Sequence, residues 1–226
     1  MSTKVKVVMG IVVVFGFFIA RNILAQEQVY IISGETGLAS GWAFSSPKFW
    51  GTITTENKEV VKKGTVVSFL IDIHPETGRP FCGSNFFDKD TKEFSNAIML
   101  KKSQLEDGVL SFYINGGKDI SGRFQGGQKF MIMCEFLKRD NTKYTPKDKT
   151  GQYSNYIAMD KYLDEGTIDS DPNTWQKVAI PLEVIFDALR PPLEEIIGIV
   201  SLSFQFMYDK PQSGIYITDV MISSGK

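Results

Sequence analysis

Cysteine and histidine are scarce in this sequence, and several catalytic motifs are missing from it. The 226 residues include two cysteines, Cys82 and Cys134, and one histidine, His74. They form no Cys/His cluster with zinc spacing, which argues against a structural zinc site. A Gly-x-Ser-x-Gly nucleophile elbow and a glycine-rich phosphate loop are also absent, so nothing supports a serine hydrolase or a nucleotide-hydrolysing enzyme.

An excess of charge of either sign is missing as well. The sequence has 25 Lys and Arg against 26 Asp and Glu, which gives a formal net charge of -1. Nucleic acids and anionic lipid surfaces attract proteins through clustered positive charge. The balanced composition therefore predicts neither of them as a partner.

An apolar run lies at the N-terminus. Lys4 and Lys6 precede the run at 7–20, and Ala25 lies in the polar stretch that follows. These are the three parts of a secretory signal peptide, and the run is shorter than the roughly 20 apolar residues of a spanning helix. We predict a signal peptide over residues 1–25 and a secreted, periplasmic or cell-surface protein. The alternative is an uncleaved membrane anchor, which Arg21 favours and which would bring the protein to a membrane.

The rest of the chain, residues 26–226, suits a single domain. Without residues 1–25 it has 22 basic residues against 26 acidic ones, a formal charge of -4. Its length is ordinary for one all-β sandwich, and a core of useful size can form without metal or disulfide staples.

The two cysteines allow two interpretations. In an exported protein Cys82 and Cys134 can form a disulfide, which would stabilise the fold by roughly 4 kcal/mol in the chain-entropy model. Alternatively, Cys134 is a buried free thiol on a strand and Cys82 is an unrelated loop residue.

Apolar and polar residues alternate in several short segments, the pattern of strands with one buried face. We predict such strands over 29–33, 65–74, 96–101, 109–115, 129–137 and 156–162. A single helix is predicted between Leu182 and Leu189, ended by Pro191 and Pro192. About ten short strands with almost no helix indicate an all-β fold, an antiparallel β-sandwich or jelly roll.

The segment from Thr174 to Ile222 carries the clearest pattern of the fold. We predict a strand, a short crossover, a strand, a tight loop and a closing strand within it. Leu202 and Phe204 alternate with polar residues, and the closing strand is rich in β-branched residues with one acid, Asp219. Trp175 precedes a core strand, so we predict a structural role for it, and core or loop packing is also favoured for the aromatic cluster 42–50.

Four stretches together resemble a known superfamily. They are VYIISGETGLASGWAF, TWQKVAIPLEVI, IGIVSLSFQF and IYITDVMI. In this order they are similar to the jelly-roll, galactose-binding-like carbohydrate-binding modules that are attached to many polysaccharide-degrading enzymes. The resemblance implies a secreted, non-catalytic, lectin-like protein with a polysaccharide or glycan as its ligand.

The resemblance also implies a structural calcium ion. Many members hold one with an acid of the last strand and an acid or carbonyl of the first loop, which correspond here to Asp219 and the region of Glu35. This sequence has Thr218 before Asp219 where members often have two acids. Glu35 could equally be a solvated loop acid, and Asp219 a turn or capping acid.

The polar faces of four strands supply candidate ligand-binding residues. If the bulky apolar residues form the core, polar and aromatic residues share the opposite faces, and stacked in one concave sheet they would form a groove. Sugars bind to such mixtures because their C–H faces pack on rings and their hydroxyls pair with amides and carboxylates. The predicted carbohydrate-binding residues are Asp72, Tyr113, Asn115, Glu135 and Gln205. An ordinary solvated sheet face is the alternative.

Two other functions remain open. A jelly-roll glycosidase or lyase would need two carboxylates across a cleft, which Asp72 and Glu135 could supply, although the Glu-x-Asp-x-x-Glu glucanase pattern is absent. A structural or adhesive surface protein would instead expose an apolar patch, for which Phe81, Phe86 and Phe87 are the candidates.

Overall fold

The computed structural model describes most of the chain after the N-terminal segment. The described residues are 28–44, 51–54, 59–60, 64–65, 68–71, 83–90, 92–115, 130–147, 157–158, 160–163, 166, 168, 174–206 and 215–224. The signal peptide lies outside these ranges and stays a prediction. Within them, no helix is both long enough and apolar enough to cross a membrane.

One layer of the fold, sheet A, contains seven of the described strands. They are β1 (Gln28–Ser33), β2 (Gly37–Leu38), β4 (Gly51–Thr54), β7 (Ser68–Ile71), β10 (Val109–Asn115), β14 (Gln176–Pro181) and β16 (Ile215–Ser223). The main path runs β14, β10, β16, β1, β2, while β7 pairs with β16 and β4 with β7. The closing strand β16 therefore lies inside the sheet, and its pairings with β1, β7 and β10 are antiparallel.

The second layer, sheet B, also contains seven of the described strands. They are β3 (Trp42–Phe44), β8 (Gly83–Asp88), β9 (Ile98–Met99), β11 (Phe130–Lys138), β12 (Lys143–Tyr144), β13 (Ile157–Ala158) and β15 (Ile196–Phe206). The main path runs β12, β11, β15, β8, β3, with β9 on β15 and β13 on β11. The long strand β15 is therefore central. A separate two-stranded sheet consists of β5 (Glu59–Val60) and β6 (Gly64–Thr65).

The hydrophobic core lies between the two sheets. Successive side chains of a strand point to opposite faces, and on β10 the core side carries Leu110, Phe112 and Ile114, all at most 1% exposed. The Phe112 ring meets Phe204 of sheet B edge-on, with centroids 5.3 Å apart, and Phe204 contacts Phe86 in the same way at 6.0 Å. Such edge-to-face pairs are a favoured aromatic geometry. The prediction of an antiparallel β-sandwich is confirmed.

The predicted helix is present, over the predicted residues, as α2 (Leu182–Leu189). Its buried residues Leu182, Ile185, Phe186 and Leu189 follow the spacing of one helix face, and Phe186 packs on Phe136 with ring centroids 5.7 Å apart. The helix ends at Arg190, which has a left-handed backbone with φ of 52°, before the two prolines.

A second short helix, α1 (Lys102–Asp107), contradicts the prediction of a single helix. Its sequence KSQLED contains one large apolar residue, Leu105, so no periodic apolar face marks it. The helix is held by its first turn, where the Gln104 Oε1 accepts a hydrogen bond from the Lys101 N–H at 3.0 Å. A 3-10 turn, Asp160–Tyr162, likewise occupies part of the stretch predicted as a strand at 156–162.

Candidate functional site

The outer face of sheet B is organised around strand β15. Leu202 and Phe204 are in the core, so Ser201 and Ser203 lie on the outer side of the strand. Across the sheet, Ser203 is opposite Met133 of β11, and Ser201 lies between Glu135 of β11 and Phe87 of β8. Directly opposite residues of antiparallel strands share a face. The β15 face is defined here as Met131, Met133, Glu135, Ser201, Ser203 and Phe87.

Glu135 is the carboxylate of the β15 face, and its position is fixed by two neighbours. Its Oε1 accepts a hydrogen bond from the Thr145 hydroxyl at 2.6 Å. The Lys143 ammonium lies 3.0 Å from Oε1 and 3.1 Å from Oε2. The Glu135 side chain is 13% exposed and that of Lys143 is 40% exposed. The carboxylate is therefore oriented by the protein and still reaches the surface, where its oxygens can accept further hydrogen bonds.

Ser203, at the middle of the face, has a buried hydroxyl. The residue is 3% exposed, and its Oγ has no hydrogen-bond partner. Its neighbours on the face are also largely buried, with Ser201 at 4% and Met133 at 6% exposed. Buried polar atoms in folded proteins almost always have a partner, so an exception calls for an explanation.

The outer face of sheet A carries an aromatic cluster of different character. Trp175 and Tyr216 are 5% and 3% exposed and pack together, with Tyr113 against them. Asn115 is fully buried, and its side-chain amide donates to the Thr174 carbonyl at 3.0 Å. These residues are called the Trp175 cluster. The structural role predicted for Trp175 is confirmed, because its ring is buried.

The hypothesis of one groove containing all the predicted binding residues is wrong in one respect. Tyr113 and Asn115 belong to β10 in sheet A, whereas Glu135 and Gln205 belong to β11 and β15 in sheet B. Tyr113 and Asn115 lie on the outer side of sheet A and Glu135 lies on the outer side of sheet B, so the core separates them. The cause is that strand periodicity assigns a face to a residue but does not assign a strand to a sheet.

Two of the predicted binding residues are not described at the side-chain level. Gln205 pairs through its backbone with Met131 and Gly83 in sheet B. Asp72 lies outside the described residues, so its pairing with Glu135 as catalytic carboxylates is not tested. The structure adds Lys143, Thr145 and Ser203, none of which was a predicted site residue.

Asp219 occupies a bulge in the closing strand. The pairing of β10 with β16 shifts between Ser111 and Tyr113, and Asp219 has a φ of 50°. It is 5% exposed, and its Oδ1 accepts the Gly34 N–H at 2.8 Å. Asp219 thus joins the closing strand to the loop after β1, as a turn or capping acid would.

The second predicted calcium ligand, Glu35, has a different environment from that of Asp219. Glu35 is exposed, in the turn where its own N–H is donated to the Ser33 hydroxyl at 3.1 Å. In the described part of the chain, no group of three or more His, Cys, Asp or Glu residues could hold a metal ion. The calcium site stays a prediction.

Cys134 is a free thiol on the core side of β11. This corresponds to the second interpretation of the cysteines, the buried free residue, while Cys82 lies outside the described residues. Burial raises the pKa of the Cys134 thiol from 9.0 to about 12, with a further contribution from the charge of Glu135. A thiol that stays protonated at neutral pH is a poor nucleophile, so Cys134 serves as core packing.

The structure also bears on two predictions about aromatic residues, the packing of the 42–50 cluster and the exposed patch of phenylalanines. Trp42 is 3% exposed and its indole N–H donates to the Asn96 carbonyl at 2.8 Å, which confirms the predicted packing role for this member of the 42–50 cluster. Phe86 is fully buried in the core and Phe87 is half-buried. Phe86 therefore contributes nothing to an exposed apolar patch, and Phe81 lies outside the described residues.

Comparisons with known proteins agree with this fold. No family profile and no curated protein matches the sequence. Among solved structures, a family 30 carbohydrate-binding module is 15% identical, with a TM-score of 0.56 over 88% of this chain and 89% of that chain. The family 30 module of the cellulosomal cellulase Cel9D-Cel44B of Clostridium thermocellum is 14% identical, with a TM-score of 0.55 over 88% of this chain and 98% of that one. At these identities the likeness shows the fold, which is the jelly roll of carbohydrate-binding modules.

Proposed function

We propose that the protein is a secreted, non-catalytic carbohydrate-binding protein that holds a poly- or oligosaccharide on the β15 face. The observation that carries the proposal is the combination on this face of an oriented, surface-reaching carboxylate with a buried hydroxyl that has no partner. Glu135 is held by Lys143 and Thr145, and Ser203 lies one row further along the sheet. Both are hydrogen-bonding groups that a polyhydroxylated ligand can engage.

The sizes of the side chains support a groove along β15. Ser201 and Ser203 are small, and the side chains opposite them, Met133 and Phe87, are large. In the proposed complex the ligand lies along this row of small side chains, beside the larger ones. Sugar C–H faces can pack on the Met and Phe side chains while sugar hydroxyls reach the polar atoms between them. The fold shared with carbohydrate-binding modules supports the same function.

A non-catalytic role agrees with the environment of Glu135. Its carboxylate is engaged by an ammonium and a hydroxyl of the same sheet, which suits a group that binds and orients a ligand. A glycosidase needs a second carboxylate across the bond to be cleaved. Of the described residues, Met131, Met133, Ser201, Ser203 and Phe87 complete the face and none is an acid.

Affinity electrophoresis against a panel of soluble glycans tests the proposal. The panel includes mixed-linkage β-glucan, glucomannan, xyloglucan, xylan and a polyuronate, each cast into a native gel. The full chain is expected to be retarded by at least one neutral glycan and to release no reducing sugar from it. Unchanged mobility in every gel would remove the carbohydrate-binding proposal, and release of reducing sugar would restore the enzyme hypothesis.

Secretion is part of the proposal and has its own test. The exported protein is expected to begin at Gln26, because the small residue Ala25 precedes it. N-terminal sequencing of the protein from its natural source checks this. An intact residue 1–25 segment in a membrane fraction would establish the anchor alternative instead.

A further inference from the structure

The proposed function does not say which ligand group would pair with the Ser203 hydroxyl. Its hydroxyl is buried in the middle of sheet B and unpartnered. The other described side-chain atom of this kind is the Nε2 of Gln104. That side chain has a structural explanation, because its Oε1 caps α1 through the Lys101 N–H. Ser203 has no such second contact that would explain a polar residue at this position.

A buried hydroxyl without a partner destabilises the free protein, and the cost is recovered when another molecule supplies the hydrogen bond. Alanine would fill the same space without the cost. We infer that the Ser203 hydroxyl is a specificity group that receives the primary hydroxyl of a hexose unit, so that the β15 face selects glycans built from hexoses over those built from pentoses. This inference rests on the proposed function and names the class of its ligand.

The depth of Ser203 decides which ligand hydroxyl can reach it. Met133, directly opposite on β11, has a longer side chain and is itself only 6% exposed. Hydroxyls attached directly to a sugar ring stay close to the ring, which rests on the larger side chains. The primary hydroxyl stands on an additional CH2 group outside the ring, so it extends further from the ring than any ring hydroxyl and is the one that we assign to the buried Ser203.

For a ligand to reach a residue that is 3% exposed, a neighbouring side chain must move, and we assign this movement to Met133 because it pairs with Ser203 across the sheet. Methionine has an unbranched side chain with several rotatable bonds, and it repacks at low cost. The CH2 of the entering hydroxymethyl group replaces the contacts that Met133 gives up. A pentose unit has a hydrogen in place of this group and leaves Ser203 unpaired.

Two hexasaccharides provide the matched test. Cellohexaose and xylohexaose have the same β-1,4 linkage and the same ring hydroxyls, and they differ in the hydroxymethyl group. By isothermal titration calorimetry the full chain is expected to bind cellohexaose about tenfold more tightly than xylohexaose. Ser203→Ala should weaken binding of cellohexaose by about the same factor, leave xylohexaose unchanged and keep or slightly raise the melting temperature.

Ser111→Ala is the matched control. Ser111 is 4% exposed on the outer side of sheet A, so the same chemical change is made at the same depth on the other face, and both affinities should stay at their wild-type values. Ser203→Cys keeps the size of the side chain and should change the two affinities as Ser203→Ala does. It provides a second variant in case the alanine variant does not fold.

The outcomes separate this inference from the proposed function. Equal affinity of the wild type for the two hexasaccharides, or a Ser203→Ala variant that weakens both equally, overturns the specificity role while carbohydrate binding stands. If neither hexasaccharide binds but another glycan of the panel does, an unchanged affinity of Ser203→Ala for that glycan also overturns it. If no glycan binds at all, the proposed function itself fails.

Discussion

The two outer faces of the sandwich use their polar and aromatic side chains in different ways. In the Trp175 cluster of sheet A, the rings are buried against each other, and the Asn115 amide donates a hydrogen bond to a backbone carbonyl. On the β15 face of sheet B, the Ser203 hydroxyl has no partner and Glu135 reaches the surface. The difference indicates that the aromatic residues of the Trp175 cluster stabilise the fold, while the face with an unpaired hydroxyl is the one that we propose for ligand binding.

The most severe test of this contrast is the Trp175→Ala variant. Removing a ring that is 5% exposed deletes its buried area and leaves a cavity against Tyr216, so a loss of about 3 to 5 kcal/mol in the free energy of unfolding is expected. Urea denaturation followed by circular dichroism measures it. Trp175→Phe should recover much of the loss, because a ring again fills the site.

Glycan affinity completes the test of Trp175. Per folded molecule, Trp175→Ala should bind glycan as the wild type does, since the β15 face lies on the other sheet. A variant with wild-type stability and no binding would reverse the roles assigned to the two faces.

The next largest effect is expected at Glu135. Glu135→Ala removes a charged hydrogen-bond acceptor from the β15 face and should weaken glycan binding about 30-fold, or about 2 kcal/mol. Glu135→Gln keeps one acceptor oxygen and should lie between Glu135→Ala and the wild type. Calorimetric titration with the best glycan of the panel measures both.

Tyr113→Phe is the control for the opposite face. Tyr113 belongs to the Trp175 cluster, where it packs against Trp175 and Tyr216, and its variant should retain wild-type affinity. If Tyr113→Phe weakens binding as much as Glu135→Ala does, the ligand occupies sheet A and the proposed face is wrong.

A smaller effect is expected at Asp219, which joins the closing strand of sheet A to the loop after β1. Asp219→Ala loses the hydrogen bond to the Gly34 N–H and should cost about 1.5 kcal/mol, whereas Asp219→Asn keeps an acceptor oxygen and suits the left-handed backbone. Urea midpoints of the two variants measure the difference. Asn at this position is therefore expected to be close to the wild type.

A melting temperature that depends on calcium would contradict a role for Asp219 in hydrogen bonding alone. If Asp219 and Glu35 hold a structural ion, as the resemblance implies, EDTA should lower the melting temperature of the wild type and calcium should restore it. Asp219→Asn would then lose this response. A melting temperature that is the same in EDTA and in calcium supports the hydrogen-bond role alone.

The parts of the fold that could be predicted from the sequence are those marked by a local period of apolar residues. The alternation in β10 and the apolar spacing of α2 before two prolines fix element type and position from a few neighbouring residues, and both match the structure. The helix α1 was not predicted because it has no apolar stripe. It is held instead by a capping side chain, Gln104.

The site was less predictable because it depends on contacts distant in sequence. Periodicity gave the outward direction of Tyr113 and Glu135 correctly, but the pairing of β10 with β16 and of β11 with β15 places them on different sheets. Lys143 belongs to a strand of two residues, which is too short to show a pattern. The missing partner of Ser203 can be recognised only when all surrounding atoms are placed.

The smallest expected effect concerns Lys143, and it decides which member of the ion pair binds the ligand. Its side chain is 40% exposed, so its pairing with Glu135 is partly screened by solvent. Lys143→Met keeps the length of the side chain and leaves Thr145 to orient the carboxylate. We expect only about a twofold loss of glycan affinity in calorimetric titration. Lys177→Met, at an exposed position of β14 in sheet A, is the matched control and should show no loss. If Lys143→Met instead weakens binding as strongly as Glu135→Ala, the ammonium contacts the ligand directly. The β15 face would then select an acidic glycan, because an ammonium pairs with carboxylates more strongly than with hydroxyls.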